Sequence, residues 1–231
     1  LGLFDQGKLV RKLAQDEWNG QEILELATNQ KVKNIILSTV GHALEDQWIS
    51  KIEQLFRLII LNENTALPFV NAYETPQTLG KDRLAAVAGA LVLFPGKHCL
   101  IIDAGTCITY ELLDANGVYL GGNIAPGIEL RLKAMHAFTA NLPKIEQGTI
   151  DQNIGKSTET AMRNGGQLGA VMEAEGFIDL YRQKFGQINV ILTGGDADFF
   201  AKKMKSKIFV NHDLTLLGLN KILNYNVERS E

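Results

Sequence analysis

Cysteine is scarce in this chain, with only Cys99 and Cys107 among 231 residues. A disulfide-stapled scaffold is excluded, and the two thiols, both set in apolar stretches, read as a buried, reduced pair of a cytoplasmic protein. Aromatic residues are few at 7%, and five prolines with 22 glycines in no fixed period exclude collagen-like or low-complexity character. No run of Lys or Arg extends beyond pairs such as Lys202-Lys203, and 26 acidic against 23 basic residues leave a net charge of -3. The basic footprint of a nucleic-acid binder is missing. The longest nearly apolar run, Leu84 to Pro95, is too short for a membrane span. Leu1 to Val10 has neither the basic nor the apolar region of a signal peptide, so no membrane partner is expected. What the chain does have is 45% hydrophobic residues, enough to bury a core unaided.

Strand-like and helix-like segments alternate without a linker or repeat. Gly2-Leu3-Phe4 and Lys8-Leu9-Val10, joined by Asp5-Gln6-Gly7, read as a hairpin. Gln21 to Thr28 reads as a short helix and Asn34 to Val40 as a buried strand. Glu45 to Leu58 places Trp48, Ile52, Leu55 and Phe56 at helical spacing. Asp82 to Leu93 is apolar nearly all round, as in a helix covered on most sides, and stops at Phe94-Pro95-Gly96. Three strands with short turns follow: Cys99 to Ile102, Cys107 to Leu113 and Val118 to Gly122. Helices are expected from about Gly127 to Phe138 and Ser157 to Phe185, then a strand over Ile188 to Leu192 and a helix through Phe200. Lys207 to Val210 reads as a last strand and Leu214 to Tyr225 as an amphipathic helix. Antiparallel strands followed by helix–strand units predict an α/β chain with a mixed sheet, and the break near Phe94 to Lys97 predicts two lobes.

Four short patterns could carry chemistry. Asp103-Ala104-Gly105-Thr106 joins two strands; its Gly would let backbone amides approach a phosphate and its Asp could hold a cation, although a plain hairpin turn uses the same residues. Thr193-Gly194-Gly195-Asp196 joins a strand to a helix, where a flat ligand could lie on bare backbone, or where Asp196 simply caps the helix. In Thr78-Leu79-Gly80-Lys81-Asp82-Arg83 a carboxylate and a guanidinium share a helix start; they pair a proton acceptor with an anion binder, or serve as an N-cap and a surface residue. Gly155-Lys156-Ser157-Thr158 fails the P-loop spacing, since position 150 is Ile, and leaves a helix start with hydroxyls. His42, His98, His136 and His212 are scattered, which argues against zinc. Tyr181/Phe185 and Phe199/Phe200 read as core.

Together and in order, these patterns resemble type III pantothenate kinases, of the acetate and sugar kinase, heat-shock 70 and actin superfamily. The matching run is Tyr73 through Thr78-Leu79-Gly80-Lys81-Asp82-Arg83, then Ile102 to Thr106, Gly121-Gly122-Asn123-Ile124-Ala125-Pro126-Gly127, Ile154 to Thr158 and Thr193 to Asp196. The resemblance implies an α/β fold of two ribonuclease-H-like lobes with mixed sheets and an ATP cleft between them. The first lobe would be 1–95, with 212–231 packing back as a helix, and the second 96–211. The implied activity is ATP-dependent phosphorylation of pantothenate to 4′-phosphopantothenate, the first step of coenzyme A biosynthesis. Asp82 matches the proton acceptor. Tyr73, Gly80, Lys81, Asp82, Arg83 and Thr158 would bind pantothenate, Thr158 across the interface of a homodimer. Gly105, Thr106, Gly194 and Gly195 would bind ATP, which brings Mg²⁺, and Asp103 would hold a monovalent cation, K⁺ or NH₄⁺. The family opens with a strand and an Asp-x-Gly-Asn-Thr turn ahead of the strand that Gly2-Leu3-Phe4-Asp5 resembles. By that measure the first strand of lobe one and its turn, on the order of a dozen residues, are missing here. That departure leaves open a non-catalytic nucleotide-binding relative with an accessory or regulatory role. A kinase of another small hydroxylated substrate is the third reading.

Overall fold

The computed structural model describes residues 1–15, 18–39 and 44–229. Internal contacts divide the chain into two units, Leu1–Leu93 with Asp213–Glu231, and Phe94–His212. In the first unit, β1 (Gly2–Asp5) and β2 (Lys8–Lys12) pair antiparallel. Gln6 and Gly7 between them have φ of 46° and 79°, the two left-handed residues of a tight turn whose twist suits paired strands. α1 (Gly20–Asn29) begins in a capping box: the Asn19 side chain accepts from the Glu22 N–H, and the Glu22 carboxylate accepts from the Asn19 N–H.

β3 (Asn34–Leu37), α2 (Asp46–Leu55) and β4 (Arg57–Ile60) form a strand–helix–strand unit with the two strands parallel. Two expectations are corrected here. The helix predicted from Glu45 to Leu58 ends at Leu55, because Phe56 turns extended and the β-branched pair Ile59-Ile60 continues as a strand. The strand predicted to Val40 ends at Leu37, and Val40 and His42 lie outside the described residues. A two-residue strand, β5 (Val70–Asn71), and a single 3₁₀ turn at Pro76–Thr78 lead into α3 (Lys81–Leu93). Every α3 residue from Arg83 to Ala90 is buried, as the all-round apolar pattern predicts.

In the second unit, β6 (Cys99–Ala104), β7 (Cys107–Leu113) and β8 (Val118–Pro126) form an antiparallel meander. β8 runs past the predicted stop at Gly122, since its glycines remain paired with β7. The chain crosses over through α4 (Ile128–Ala137) and α5 (Thr158–Phe185) to β9 (Asn189–Thr193), which pairs with the free side of β6 in parallel. After α6 (Ala197–Lys203), β10 (Phe209–Val210) adds parallel to β9. The order β10-β9-β6-β7-β8 makes the sheet mixed. β6 and β9 are covered on both faces and so read as unbroken apolar runs. Leu100, Ile102, Tyr110 and Leu192 pack with Leu132 of α4, Ile178 of α5 and Phe200 of α6. Complete burial of an aliphatic or Phe side chain there contributes about 1.5–3 kcal/mol. Tyr181, Phe185 and Phe199 line the same core, as expected.

The chain then returns to the first unit as α7 (Leu214–Glu228), which lies along α3. The backbones approach so closely that a Cβ on Gly218 would overlap the Ala85 carbonyl oxygen, and one on Gly89 the Leu214 carbonyl oxygen. No helix among the described residues is long and apolar enough to cross a membrane.

Candidate functional site

The candidate residues fall in two groups, one in each unit. In the first, the 3₁₀ turn at Pro76–Thr78 delivers the chain to Gly80, whose carbonyl accepts from the Leu84 N–H at 3.3 Å and so starts α3. A side chain at Gly80 would collide with the Asp82 carboxylate, so the glycine keeps that carboxylate's place clear. Asp82 sits exposed in the first helical turn, with Oδ1 accepting from the Arg83 N–H at 2.9 Å. An acid at that position is favoured by the helix dipole. Arg83 next to it is only 6% exposed, which rules out the surface role that the sequence left open. Its guanidinium carbon lies 5.2 Å from the centre of the Tyr73 ring, a cation–π contact that fixes the group in place. Tyr73, Gly80, Asp82 and Arg83 are thus drawn together, with Lys81 half-buried beside them.

In the second unit, pairing of β6 with β9 sets Asp103 opposite Thr193 and so brings two distant turns side by side. The Asp196 N–H donates to the Ala104 carbonyl at 2.9 Å. Gly194 has φ +95°, and a Cβ there would overlap the Ala104 carbonyl and lie 2.5 Å from Asp103 Oδ1. Gly194 is therefore glycine for reasons of chain packing. Gly195 differs, since a Cβ on it would meet nothing within 4 Å. A third glycine, unnoticed as a site residue, closes the group: the Gly127 N–H donates to the Thr106 carbonyl at 3.0 Å, and a side chain there would strike the carbonyls of Gly105 and Thr106. The Gly105 N–H donates to the Cys107 carbonyl at 3.0 Å, so this amide serves the turn. Asp103, Gly105, Thr106, Gly194 and Gly195 form one neighbourhood.

Asp196 occupies the N-cap position of α6 without capping it. Its carboxyl is held above the ordinary carboxylate range, chiefly by burial; a hydrogen bond from Gln147 opposes this and the Glu129 charge adds to it. Thr158 stands apart, exposed as the first residue of α5. Ser157 caps that helix in a box with Thr160. Cys99 is buried, its thiol pushed up to about 12 by desolvation, whereas Cys107 is exposed, contrary to the expected buried pair. Its apolar neighbours point inward, but as the first residue of β7 it borders the turn. Among the described residues no three His, Cys, Asp or Glu side chains gather as metal ligands do.

Sequence reasoning also missed Glu111, fully buried on β7, which accepts from the Tyr119 hydroxyl at 2.5 Å. Its strand partner is Gly122, where a Cβ would sit 2.6 Å from Glu111 Oε2. The glycine pair of the Gly121-to-Gly127 run was the available signal, because a bare strand position marks a close neighbour.

The comparisons with known proteins agree with one another. The family model for type III pantothenate kinase matches residues 3–180. The type III pantothenate kinase of Bacteroides fragilis is 44% identical over 228 residues, covering 98% of this chain and 93% of that protein. Those of Christiangramia forsetii and Cytophaga hutchinsonii are 45% and 40% identical over 227 residues, covering 97% and 98% of this chain and 93% and 94% of theirs. Among solved structures, a conserved Campylobacter jejuni protein assigned to the Baf family of transcriptional activators superposes with a TM-score of 0.56 at 22% identity, over 89% of each chain. That likeness speaks for the fold alone. With the family model spanning the Asp82-Arg83 helix start and the Asp103-to-Thr106 turn, and relatives matching almost from end to end, this chain belongs to the type III pantothenate kinase family.

Proposed function

We propose that the chain transfers the γ-phosphoryl group of ATP to the hydroxyl of pantothenate, giving 4′-phosphopantothenate and ADP at the entry to coenzyme A biosynthesis. The observation that carries this reading is the exposed Asp82 carboxylate beside the buried, ring-braced Arg83 at the start of α3. Asp82 takes the hydroxyl proton as the oxygen attacks the γ-phosphorus, and the bond from that phosphorus to the ADP oxygen breaks. Arg83 pairs with the pantothenate carboxylate, its fork held rigid by Tyr73, while Gly80 and Lys81 line the acceptor. Gly105, Thr106, Gly194 and Gly195 receive ATP. The hard carboxylate oxygens of Asp103, at a strand end between the two turns, suit a K⁺ or NH₄⁺ ion, and ATP carries its own Mg²⁺. Such cations neutralise phosphate charge. An accessory role without catalysis draws no support from relatives that are kinases by name.

A homodimer is part of the proposal. Along α5, Thr158, Ala161, Gly165, Gly169, Met172, Gly176 and Leu180 recur at helical spacing on one face. Met172 and Leu180 are 69% and 54% exposed, and a Cβ on any of the three glycines would meet nothing within 4 Å among the described residues. Glycine in a helix interior costs about 0.5–1 kcal/mol against alanine, and nothing among the described residues occupies the place of its missing side chain. A second helix approaching closely would, and Thr158 shares the face that it would cover. Two thiols not joined to each other and a nucleotide substrate suit the cytoplasm.

The test is ADP release by the purified chain with ATP, Mg²⁺ and pantothenate, in potassium and again in sodium. Pantothenate-dependent turnover is expected, with kcat reduced roughly 10²- to 10⁴-fold in Asp82→Asn. ATP hydrolysis indifferent to pantothenate, or an Asp82→Asn variant as fast as the parent, would overturn the assignment.

A further inference from the structure

The segment between α4 and α5, residues 138–157, contains no helix or strand, yet it is tightly secured. Long connections of this kind inside a compact unit are uncommon and usually functional. Gln167 of α5, 1% exposed, accepts from the Gly148 N–H at 3.0 Å and donates to the Gly148 carbonyl at 2.9 Å, gripping the segment as a strand neighbour would. Asn164 donates to the Gln152 carbonyl at 2.7 Å, Arg163 to the Glu146 carbonyl at 3.4 Å, and Ile145 packs on the core. Gln147 is fixed between Ile145 and Gly148, and its Nε2 reaches Asp196 Oδ1 at 3.4 Å.

Asp196 forgoes the local bond that its position invites, since its side chain does not cap α6. Its second carboxylate oxygen and the Gln147 amide oxygen take no hydrogen bond from the described residues. Beside them Gly195 presents bare backbone onto open space. Two adjacent acceptors next to an unfilled surface match two adjacent hydroxyl donors. We infer that Asp196 and Gln147 form a subsite for the vicinal hydroxyls of a nucleotide ribose, with Gln167 as its positioning residue. The inference rests on the proposed nucleotide site at Gly194 and Gly195 and adds what in the nucleotide is recognised.

Direct binding measurements by calorimetry, which need no turnover, test it with ATP and 2′,3′-dideoxy-ATP on the full chain. The parent is expected to prefer ATP by about ten- to a hundredfold, the range for hydrogen bonds to a charged acceptor. Asp196→Ala should bind both nucleotides alike. Gln147→Ala, a change at an exposed side chain, should lose part of the preference with unchanged thermal melting. Gln167→Ala should lower the preference for ATP without altering the KM for pantothenate, a selectivity that general loosening would not produce. Equal affinity of the parent for the two nucleotides, or undiminished preference in Asp196→Ala, overturns the subsite. Failure of the parent to bind ATP at all overturns instead the nucleotide reading beneath it.

Discussion

α3 and α5 are both rich in small residues, and they use them in opposite ways. In α3, Ala85, Ala86, Ala88, Gly89 and Ala90 are all buried, and α7 comes close enough for Gly218 to rest on the Ala85 carbonyl. In α5, a Cβ on Gly165, Gly169 or Gly176 would meet nothing within 4 Å among the described residues. The same residue type therefore carries two messages. Where a missing side chain would strike backbone, the glycine has been consumed by the fold. Where it would meet open space in a helix that gains nothing from flexibility, the proposed dimer is what would give it a use.

Three substitutions press on that contrast. Gly218→Val should have the largest effect, because the obstructing atom is backbone and cannot step aside; overpacking of this kind costs about 1–3 kcal/mol or more. Both tryptophans, Trp18 and Trp48, lie in the first unit, so the fluorescence midpoint in urea reports on it directly. A midpoint at the parent's value would mean that the α3–α7 contact is not as close as described. Gly169→Leu comes next: it should raise the dissociation constant of the proposed dimer at least tenfold by sedimentation, about 1.4 kcal/mol, and leave the fluorescence midpoint in place. A variant that stays dimeric would remove the reason for an open glycine face. Gly165→Ala, made in the monomeric Gly169→Leu background, should show the smallest change, a gain of about 0.5–1 kcal/mol in the stability of the second unit. Loss of stability there, followed by far-ultraviolet circular dichroism, would show that Gly165 meets something within its own chain.

Much of this was legible in the sequence because it is local. The hairpin at Gln6-Gly7, the all-round apolar α3, the meander of β6 to β8 and the length of α5 are each written in adjacent residues. β4 was hidden because Trp48, Ile52, Leu55 and Phe56 keep helical spacing up to the strand itself, so periodicity runs across a boundary that backbone geometry sets. Asp103 and the Gly194-Gly195 pair could be named separately, but their contact depends on parallel pairing of strands some ninety residues apart. Gln147 and Gln167 left no trace, since a lone glutamine has no characteristic neighbours in sequence. Cys107 misled because apolar neighbours describe a strand's surroundings and not the exposure of its first residue.

The first unit is assembled from residues before 94 and after 212, and this sets an order of events during synthesis. Residues 94–212, the whole second unit, are translated before the helix that covers α3 is made. Until residues 214–228 emerge, Leu84 to Ala90 offer an uncovered apolar surface of the sort that chaperones bind. Asp82 and Arg83 stand on the first turn of that same helix. A chain stalled or clipped before residue 214 would therefore carry the proposed reactive carboxylate on a helix without its cover.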